Sequence, residues 1–291
     1  MVVWRQYQPK YTERMLVKEN LPVPIRDNHQ ITEAMTDLYD RYYTSHEYEK
    51  RYPKPNQSTL HFLFENGAKE ARDILDFGCG NGRYALPLLH QTDARLTAYD
   101  ISHAAIAELS RFLQDHPHAA RIRLFDGEAE KLNAQGDYDM IMLMFGVLSH
   151  IGDHSARIAT LRQLRGLIRP EGKLVLSVPC IFRRRPFELF TAYWQRMTGK
   201  ARDTQKEPGN IFFTRNIDKQ AHQFFYHLYS VAGLRAELQE AGFTITALAP
   251  ESLLPEWMIT QSDLLGKLDE ALLPLLPATL GYGIRAVAVP V

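Results

Sequence analysis

Residues 74–82 of the chain read Ile74-Leu75-Asp76-Phe77-Gly78-Cys79-Gly80-Asn81-Gly82, and this stretch decides the fold. Its first half is a short apolar run typical of a buried strand, and its second half is rich in glycine. Glycine tolerates positive φ and lets a ligand approach the main chain, and the free N–H groups of a following helix favour an anionic group. The stretch predicts a strand, a turn and a helix that form a ligand site at the carboxyl edge of a parallel sheet.

The spacing of the glycines indicates which ligand the turn accepts. Gly78, Gly80 and Gly82 read G-x-G-x-G rather than the dinucleotide pattern G-x-G-x-x-G, and position 83 carries a bulky arginine. Asp100 ends the next predicted strand, 22 residues after Gly78, where a carboxylate accepts hydrogen bonds from ribose hydroxyls. The pattern favours a ligand that contains ribose but need not contain pyrophosphate, which argues against an NAD-dependent dehydrogenase.

Outside this stretch, short apolar runs alternate with amphipathic segments. Strands are predicted at 74–78, 95–100, 121–127, 137–146, 173–179, within 234–251 and at 283–290. Helices are predicted at 31–51, 58–71, 83–89, 102–115, 155–168, at the start of 234–251 and at 264–277. This alternation predicts an α/β fold: a seven-stranded, mostly parallel, doubly wound sheet with an N-terminal helical lid and an insertion before the last helix–strand unit.

The composition excludes several classes of protein. Of 291 residues, 45% are hydrophobic and 23% charged, so the chain is not disordered, collagen-like or a coiled coil. Lys and Arg number 34, as do Asp and Glu, and a net charge of zero disfavours nucleic-acid binding by charge alone. Two cysteines, Cys79 and Cys180, are too few for a disulfide framework, which favours a cytoplasmic location. The longest apolar run, Met140 to Leu148, is too short to span a membrane.

Five segments, in the expected order over residues 73–180, resemble the class I S-adenosylmethionine (SAM) methyltransferases, in particular the Rossmann-like type 11 and type 12 groups. The segments are the glycine loop with Asp76 ahead of it, Asp100-Ile101-Ser102, Gly127-Glu128-Ala129-Glu130-Lys131-Leu132, Tyr138 to Ile151, and Leu167 to Leu174. Glu128 stands where this family usually has Asp, and Glu171 where Gly is commoner. The resemblance implies a methyltransferase with SAM as its cofactor and no metal.

The same resemblance implies which residues surround SAM. The methionine part would contact Gly78, Cys79, Gly80 and Gly82, with Asp76 ahead of them, and the ribose would contact Asp100. The adenine would lie between Ile101 and Ala129, with Glu128, which follows Gly127, at its amino group. Met144 and Phe145 would lie beside the sulfonium.

A helix over residues 31–51 is the predicted lid of this site. Ile31, Met35, Leu38 and Tyr42 recur at three- and four-residue steps, which is typical of an amphipathic helix. Tyrosine faces, among them that of Tyr43, favour a sulfonium cation, and Arg51 can pair with the carboxylate of SAM. The alternative is that the tyrosines only pack in the core and Arg51 is solvated.

The predicted organisation has four parts. Residues 1–57 form an N-terminal arm and helical lid, 58–180 the SAM-binding core, 181–233 a basic and aromatic insertion that caps the substrate, and 234–291 the C-terminal part of the core sheet. The insertion contains Arg183-Arg184-Arg185, with aromatic residues interleaved along 181–206. Such a segment suits an anionic substrate, an RNA backbone or a membrane surface, or it is simply a solvated basic face.

Three residues are candidates for chemistry on the acceptor. His150 follows the fourth predicted strand and can take a proton from a hydroxyl or amine, or it packs locally. Tyr226 and His227 precede a predicted helix, where related enzymes contact substrate. The sequence shows no compact cluster of carboxylates and histidines that would indicate a metal.

The function predicted from these features is methyl transfer from SAM to a small-molecule biosynthetic metabolite, with an anionic acceptor left open and the protein a monomer or homodimer. The first alternative is a tRNA modifier. Phe225-Tyr226-His227-Leu228 and the residues after it resemble the methyltransferases that esterify a carboxymethyl group on wobble uridine. The second alternative is a non-catalytic SAM-binding module.

Overall fold

The chain forms two sheets in a computed structural model that describes residues 27–127, 129, 132 and 137–291. The strands are β1 (Asp73–Phe77), β2 (Arg95–Asp100), β3 (Ile122–Asp126), β4 (Tyr138–Leu143), β5 (Ile168–Pro179), β6 (Asn210–Ile217), β7 (Gln220–His227), β8 (Phe243–Pro250) and β9 (Gly283–Pro290). The larger sheet has the order β3-β2-β1-β4-β5-β9-β8, and β6 pairs with β7 separately. Strands β1 to β5 run parallel, whereas β9 is antiparallel to both of its neighbours. This confirms the predicted seven-stranded, mostly parallel sheet.

Helices cover both faces of the larger sheet. They are α1 (Asn28–Thr44), α2 (Glu47–Arg51), α3 (Gln57–Leu63), α4 (Ala85–Gln91), α5 (His103–Leu113), α6 (His154–Leu167), α7 (Pro186–Met197), α8 (Val231–Glu240), α9 (Glu256–Gln261) and α10 (Asp263–Leu272). Successive side chains of a strand point to opposite faces. Ile74 therefore packs with α3, α4 and α5, while Leu75 packs with α6 and α8. The order of the strands reverses between β1 and β4, which places a ligand crevice at their carboxyl ends.

The predicted lid helix is two helices rather than one. Its apolar positions Ile31, Met35, Leu38 and Tyr42 are all buried, as the periodicity requires. The helix ends at Thr44, however, and α2 starts only after His46, whose φ is +58°. A left-handed residue cannot continue a helix, so the chain bends there and α2 packs across the end of α1.

A β-hairpin in the insertion is a feature that the sequence analysis missed. Strands β6 and β7 pair in register from Asn210↔His227 to Ile217↔Gln220. The two turn residues, Asp218 and Lys219, both have positive φ, which is the geometry of the tight hairpin turn that usually carries Asn-Gly. Because neither residue is a glycine, the turn gave no signal in the sequence.

None of the helices in the described part of the chain is long and apolar enough to cross a membrane. The residues before Asp27 and the predicted adenine contact Glu128 lie outside the described residues.

Candidate active site

The glycine loop after β1 is fixed by backbone hydrogen bonds. The N–H groups of Gly78 and Cys79 both donate to the carbonyl of Tyr99 on β2, at 2.7 and 2.9 Å. Gly80 has φ +56°, and a Cβ at this position would overlap the hydroxyl of Tyr43 on α1. The loop therefore needs glycine for two reasons, the left-handed backbone and the tyrosine that lies against it.

Asp100, at the end of β2, lies directly against this loop. One carboxylate oxygen accepts from Gly80 N–H at 2.7 Å and the other from Ser102 N–H at 2.9 Å. Burial raises the pKa of Asp100 to about 6, although the two backbone donors act in the opposite direction. Each oxygen keeps a further lone pair, so the carboxylate can still accept bonds from ligand hydroxyls.

A cavity of about 840 Å³ opens at the carboxyl ends of the parallel strands. Nine of the predicted site residues line it: Tyr43, Gly78, Asp100, Ile101, Gly127, Ala129, Met144, Phe145 and His150. This volume is within the range for small-molecule and cofactor sites. The geometry thus brings most of the predicted cofactor contacts and one catalytic candidate to a single cavity.

Four other residues predicted to contact the cofactor are in or next to the glycine loop but do not reach the surface of the cavity. Asp76, Cys79, Gly80 and Gly82 do not line it. Asp76 is buried, and its Oδ2 has no hydrogen-bond partner among the described residues. Burial, and then the nearby charge of Asp100, raises the pKa of Asp76 well above its usual value. A direct ligand contact predicted for these four residues is therefore less well supported than one for Gly78 or Asp100.

Helix α1 closes one side of the cavity. Asp40 Oδ1 accepts from the Ser102 hydroxyl at 2.6 Å and from the backbone N–H of Ala104 at 3.0 Å, so α1 is anchored on the first turn of α5. A carboxylate also suits the positive end of a helix dipole. This turn of α5 directly follows Asp100 and Ile101. The contacts of Asp40 therefore hold α1 next to the end of β2, where two of the predicted cofactor contacts lie.

His150 and Tyr39 form a hydrogen-bonded pair in the wall of the cavity. His150 Nδ1 lies 2.9 Å from the carbonyl of Phe225, and its Nε2 lies 2.9 Å from the Tyr39 hydroxyl. Because a carbonyl only accepts, Nδ1 carries the proton, and Nε2 accepts from Tyr39. Burial lowers the pKa of His150 to about 3, so the imidazole is neutral at physiological pH. Nε2 is therefore unprotonated, and its lone pair accepts from the Tyr39 hydroxyl.

Phe145 separates this cavity from a second one. It has φ +62°, a strained value for a residue with a large side chain, and its N–H donates to Ser177 Oγ at 2.7 Å. Tyr39, Tyr48, Phe145 and His150 line both cavities. The second cavity, here called the inner cavity, has a volume of about 80 Å³.

Tyr226 and Arg51 both belong to the inner cavity, not to the larger one. The Tyr226 ring packs on His150 with centroids 4.7 Å apart, and its hydroxyl accepts from Arg184 Nη1 at 2.6 Å. Arg51 lies over the rings of Tyr52 and Trp257. The predicted contact between Arg51 and the cofactor is thus not supported, because the helix break at His46 turns α2 toward α9.

His227 lies outside the lining of either cavity. It follows Tyr226 on β7, so its side chain points to the opposite face of the hairpin. There Nδ1 bonds Asn210 Oδ1 at 2.5 Å, and burial lowers the pKa of His227 to about 3. This position argues against the predicted role in catalysis, and Tyr226 is the residue of the pair that reaches the site.

Arg83 is an important residue whose role the sequence did not reveal. It donates to the carbonyl of Lys54 at 3.0 and 2.9 Å and to Glu256 Oε1 at 2.8 Å, and its guanidinium lies 4.9 Å from the Phe145 ring. Both partners of the Arg83–Glu256 pair are buried. Arg83 thereby holds α9 and the segment after α2 against the glycine loop. Its partner Glu256 is far away in sequence, so no local pattern indicates the pair.

The structure also brings together histidines and carboxylates that are distant in sequence. His154, Glu207 and Glu237 lie close enough to share a cation. The buried guanidinium of Arg157 already bonds both glutamates, with its Nη2 2.6 Å from Glu237 Oε1. Both glutamates are therefore already paired with a positive charge.

A family model described as a methyltransferase domain matches residues 48–248. No curated protein matches the chain.

Three solved structures illustrate the similarity of fold. The CcbJ methyltransferase from Streptomyces caelestis is 16% identical, with 89% of this chain and 97% of that chain covered and a TM-score of 0.60. The Burkholderia thailandensis 1,6-didemethyltoxoflavin-N1-methyltransferase, with bound 1,6-didemethyltoxoflavin and S-adenosylhomocysteine, is 17% identical, with 93% of each chain covered and a TM-score of 0.60. The glycopeptide N-methyltransferase MtfA, complexed with S-adenosylhomocysteine, is 16% identical, with 80% and 89% covered and a TM-score of 0.54. At these identities the likeness shows a shared fold.

Proposed function

The chain belongs to the methyltransferase-domain family, and from that premise we propose that it transfers a methyl group from SAM to a small-molecule acceptor and releases S-adenosylhomocysteine. The observation that carries the proposal is the cavity of about 840 Å³, because it joins the glycine loop, the Asp100 carboxylate and His150 beneath one lid. The two neighbours that contain S-adenosylhomocysteine support the choice of cofactor.

The residues of the cavity fit SAM. Asp100 has lone pairs for the two ribose hydroxyls, and Ile101 and Ala129 offer apolar surface for the adenine. The hydroxyl of Tyr43 lies against Gly80, so the ring covers the loop where the methionine part would lie. Met144 and Phe145 both line this cavity, and Phe145 also lines the inner cavity. These residues would hold the cofactor with its reactive end toward Phe145.

SAM, when bound, supplies a methyl group that its sulfonium already activates for displacement. The chain therefore has to orient the acceptor, exclude water and remove a proton where the acceptor is a hydroxyl or an amine. His150 Nε2 is the atom that takes this proton, either directly once Tyr39 moves aside or through the Tyr39 hydroxyl. The Phe225 carbonyl then stabilises the imidazolium through Nδ1–H.

A small molecule suits this arrangement better than RNA does. Tyr39 of the His150–Tyr39 pair belongs to α1, and two rings of the β6–β7 hairpin pack on the pair, Phe224 on Tyr39 and Tyr226 on His150. Arg184 is turned inward onto Tyr226, while Arg183 lies at the surface and donates to the carbonyls of Leu253 and Leu280. An enclosed site of this kind favours a compact acceptor over a nucleotide within a polymer.

The test uses methyl-labelled SAM and purified protein, with total RNA and a low-molecular-weight cell extract offered separately. The proposal expects label in the extract alone, and expects the Asp100→Ala variant to incorporate less of it at a limiting concentration of SAM. Label in RNA would make the protein an RNA modifier. Tight binding of S-adenosylhomocysteine with label in neither sample would make it a binding module.

A further inference from the structure

The inner cavity is unusually rich in arginine for its size. Four arginines line its volume of about 80 Å³: Arg51, Arg184, Arg185 and Arg215. They come from α2, from the segment after β5 and from β6, so the fold and not a local motif brings them together. Glu256 is the one carboxylate among the described residues that line this cavity.

Most of this positive charge has no partner of opposite sign. Glu256 pairs with Arg83, and Arg185 pairs with Glu188 at 2.9 Å. In the described part of the chain, no ion pair within 4.0 Å involves Arg51, Arg184 or Arg215. Three guanidinium groups thus share a small space without a direct ion pair, although Glu256 lines the same cavity and the buried Glu251 is close enough to act on Arg184 electrostatically.

Arg184 is the clearest case of an unsatisfied donor. Its Nη1 donates to the Tyr226 hydroxyl, but its buried Nε has no hydrogen-bond partner in the described chain. The guanidinium lies 4.3 Å from the centre of the Tyr282 ring, which fixes its plane. A buried N–H without an acceptor costs free energy, so an oxygen atom supplied by a ligand would stabilise this side chain.

Arg215 is held by rings instead of by hydrogen bonds. Its guanidinium lies 5.1 Å from the ring centre of Tyr42, 5.4 Å from that of Phe224 and 5.7 Å from that of Phe213. No side-chain hydrogen bond of Arg215 is found among the described residues. An aromatic cage orients the fork of N–H donors yet leaves them open, and such a fork matches the two oxygens of a carboxylate or phosphate.

Tyr226 adds a donor at the same place. Its oxygen accepts from Arg184, so its own O–H proton is free to point at a ligand oxygen. The ring packs on His150, which ties the cation cluster directly to the proposed base.

We infer that the inner cavity holds an oxyanion of the acceptor, a carboxylate or a phosphate, between Arg184 and Arg215. This inference rests on the proposed function and names the class of acceptor for that same site. The anion is the anchor of the acceptor, and the atom that receives the methyl group lies toward His150 and Phe145, which line both cavities. The inner cavity, at about 80 Å³, is several times larger than the roughly 10–15 Å³ that a cavity needs to hold one water molecule, so it has room for a carboxylate or a phosphate group.

In the first experiment, a low-molecular-weight extract is divided on an anion exchanger into a retained fraction and a flow-through fraction. Each fraction is then incubated with the wild-type protein and methyl-labelled SAM. The inference expects label in the retained fraction. It expects Arg184→Met and Arg215→Met to reduce that label at least tenfold, and Arg183→Met to leave it unchanged. Label in the flow-through fraction alone would overturn the inference but not the proposed function. Label in neither fraction would overturn the proposed function.

A second experiment does not depend on the natural acceptor. Inorganic phosphate and acetate are titrated into the protein by calorimetry with S-adenosylhomocysteine present. The wild type and Arg183→Met should bind one or both saturably, and Arg184→Met and Arg215→Met at least tenfold more weakly. The preferred anion distinguishes a phosphate from a carboxylate acceptor. Equal binding by all four proteins would overturn the inference, and unchanged affinity for S-adenosylhomocysteine shows that the variants are folded.

Discussion

The two cavities differ in how the chain builds them. The larger one is formed by strand ends and the turns that follow them, so neighbours in sequence such as Asp100 and Ile101 lie together in space. The inner one is formed by side chains from α1, α2, the hairpin and α9, which the chain brings together from residues 39 to 282. A site made from turns leaves local motifs in the sequence, whereas a site made from distant side chains does not. We therefore propose that the larger cavity holds the cofactor and that the inner cavity holds the anionic group of the acceptor.

The largest expected effect concerns His150, which lines both cavities. His150→Gln should lower the rate of methyl transfer about 100-fold or more, because general base catalysis by a positioned side chain contributes about 10²–10⁴-fold. The affinity for S-adenosylhomocysteine, measured by calorimetry, should change little. A full rate in the variant would mean that the acceptor atom needs no base, as for a carboxylate.

The next largest effect is expected at Asp100, which lines the larger cavity and not the inner one. Asp100→Ala should weaken binding of SAM and of S-adenosylhomocysteine at least tenfold, since a hydrogen bond to a charged group contributes about 1.5–3 kcal/mol. Asp115→Ala, which changes an exposed carboxylate after α5, is the matched control. Unchanged affinity in Asp100→Ala by calorimetry would contradict the assignment to ribose.

A smaller effect is expected where the lid is anchored. Asp40→Ala removes the acceptor for Ser102 and Ala104, a contact of the helix-cap type that is usually worth about 1 kcal/mol. S-adenosylhomocysteine should bind about fivefold more weakly, and the amides of α1 should exchange hydrogen faster. Unchanged exchange in α1 would show that the lid is held by its buried rings alone.

The smallest effect concerns stability and not activity. The pKa of His227 is about 3 in the folded chain and about 6.5 when unfolded, so the unfolded state binds more protons between these values. The contribution of His227 to the free energy of unfolding is therefore fully present above pH 6.5 and is lost as the pH falls from 6.5 toward 3. Asp100 and Glu251, whose pKa values burial raises to about 6 and 7, act in the opposite direction.

The contribution of His227 is therefore measured by comparing the pH dependence of stability in the wild type and in His227→Gln. Urea midpoints at pH 7 and pH 5 should fall further for the wild type than for His227→Gln, while methyl transfer by the variant is retained. Equal falls would show that the side chain is solvated and that its protonation is not linked to folding.

The sequence predicted the sheet because its strands follow local rules, and the residues that line the larger cavity were proposed from similarly local patterns. Apolar runs, glycines at positive φ and a carboxylate at a strand end can be read from a few adjacent residues. The break at His46 and the turn at Asp218 and Lys219 were missed because residues with ordinary side chains adopt left-handed backbone there. Tertiary packing stabilises these conformations, and single-sequence patterns do not contain it.

The inner cavity could be predicted only in part. The run Arg183-Arg184-Arg185 drew attention as basic, but its members have three different environments, and Arg184 alone combines an orientation into the site with an unpaired donor. Of the rings that surround Arg215, Phe213 is two residues away in sequence, whereas Tyr42 and Phe224 come from α1 and β7. The choice of His227 together with Tyr226 overlooked strand alternation, which places the two side chains on opposite faces of the hairpin.

The most direct test of the account is whether the two cavities can be impaired separately. The affinity for S-adenosylhomocysteine and the KM for the labelled acceptor would be measured on Asp100→Ala and Arg184→Met. We expect Asp100→Ala to lose affinity for S-adenosylhomocysteine at an unchanged acceptor KM, and Arg184→Met to raise the acceptor KM at unchanged affinity for S-adenosylhomocysteine. If either variant changed both quantities to the same extent, the division into a cofactor cavity and an acceptor cavity would be wrong.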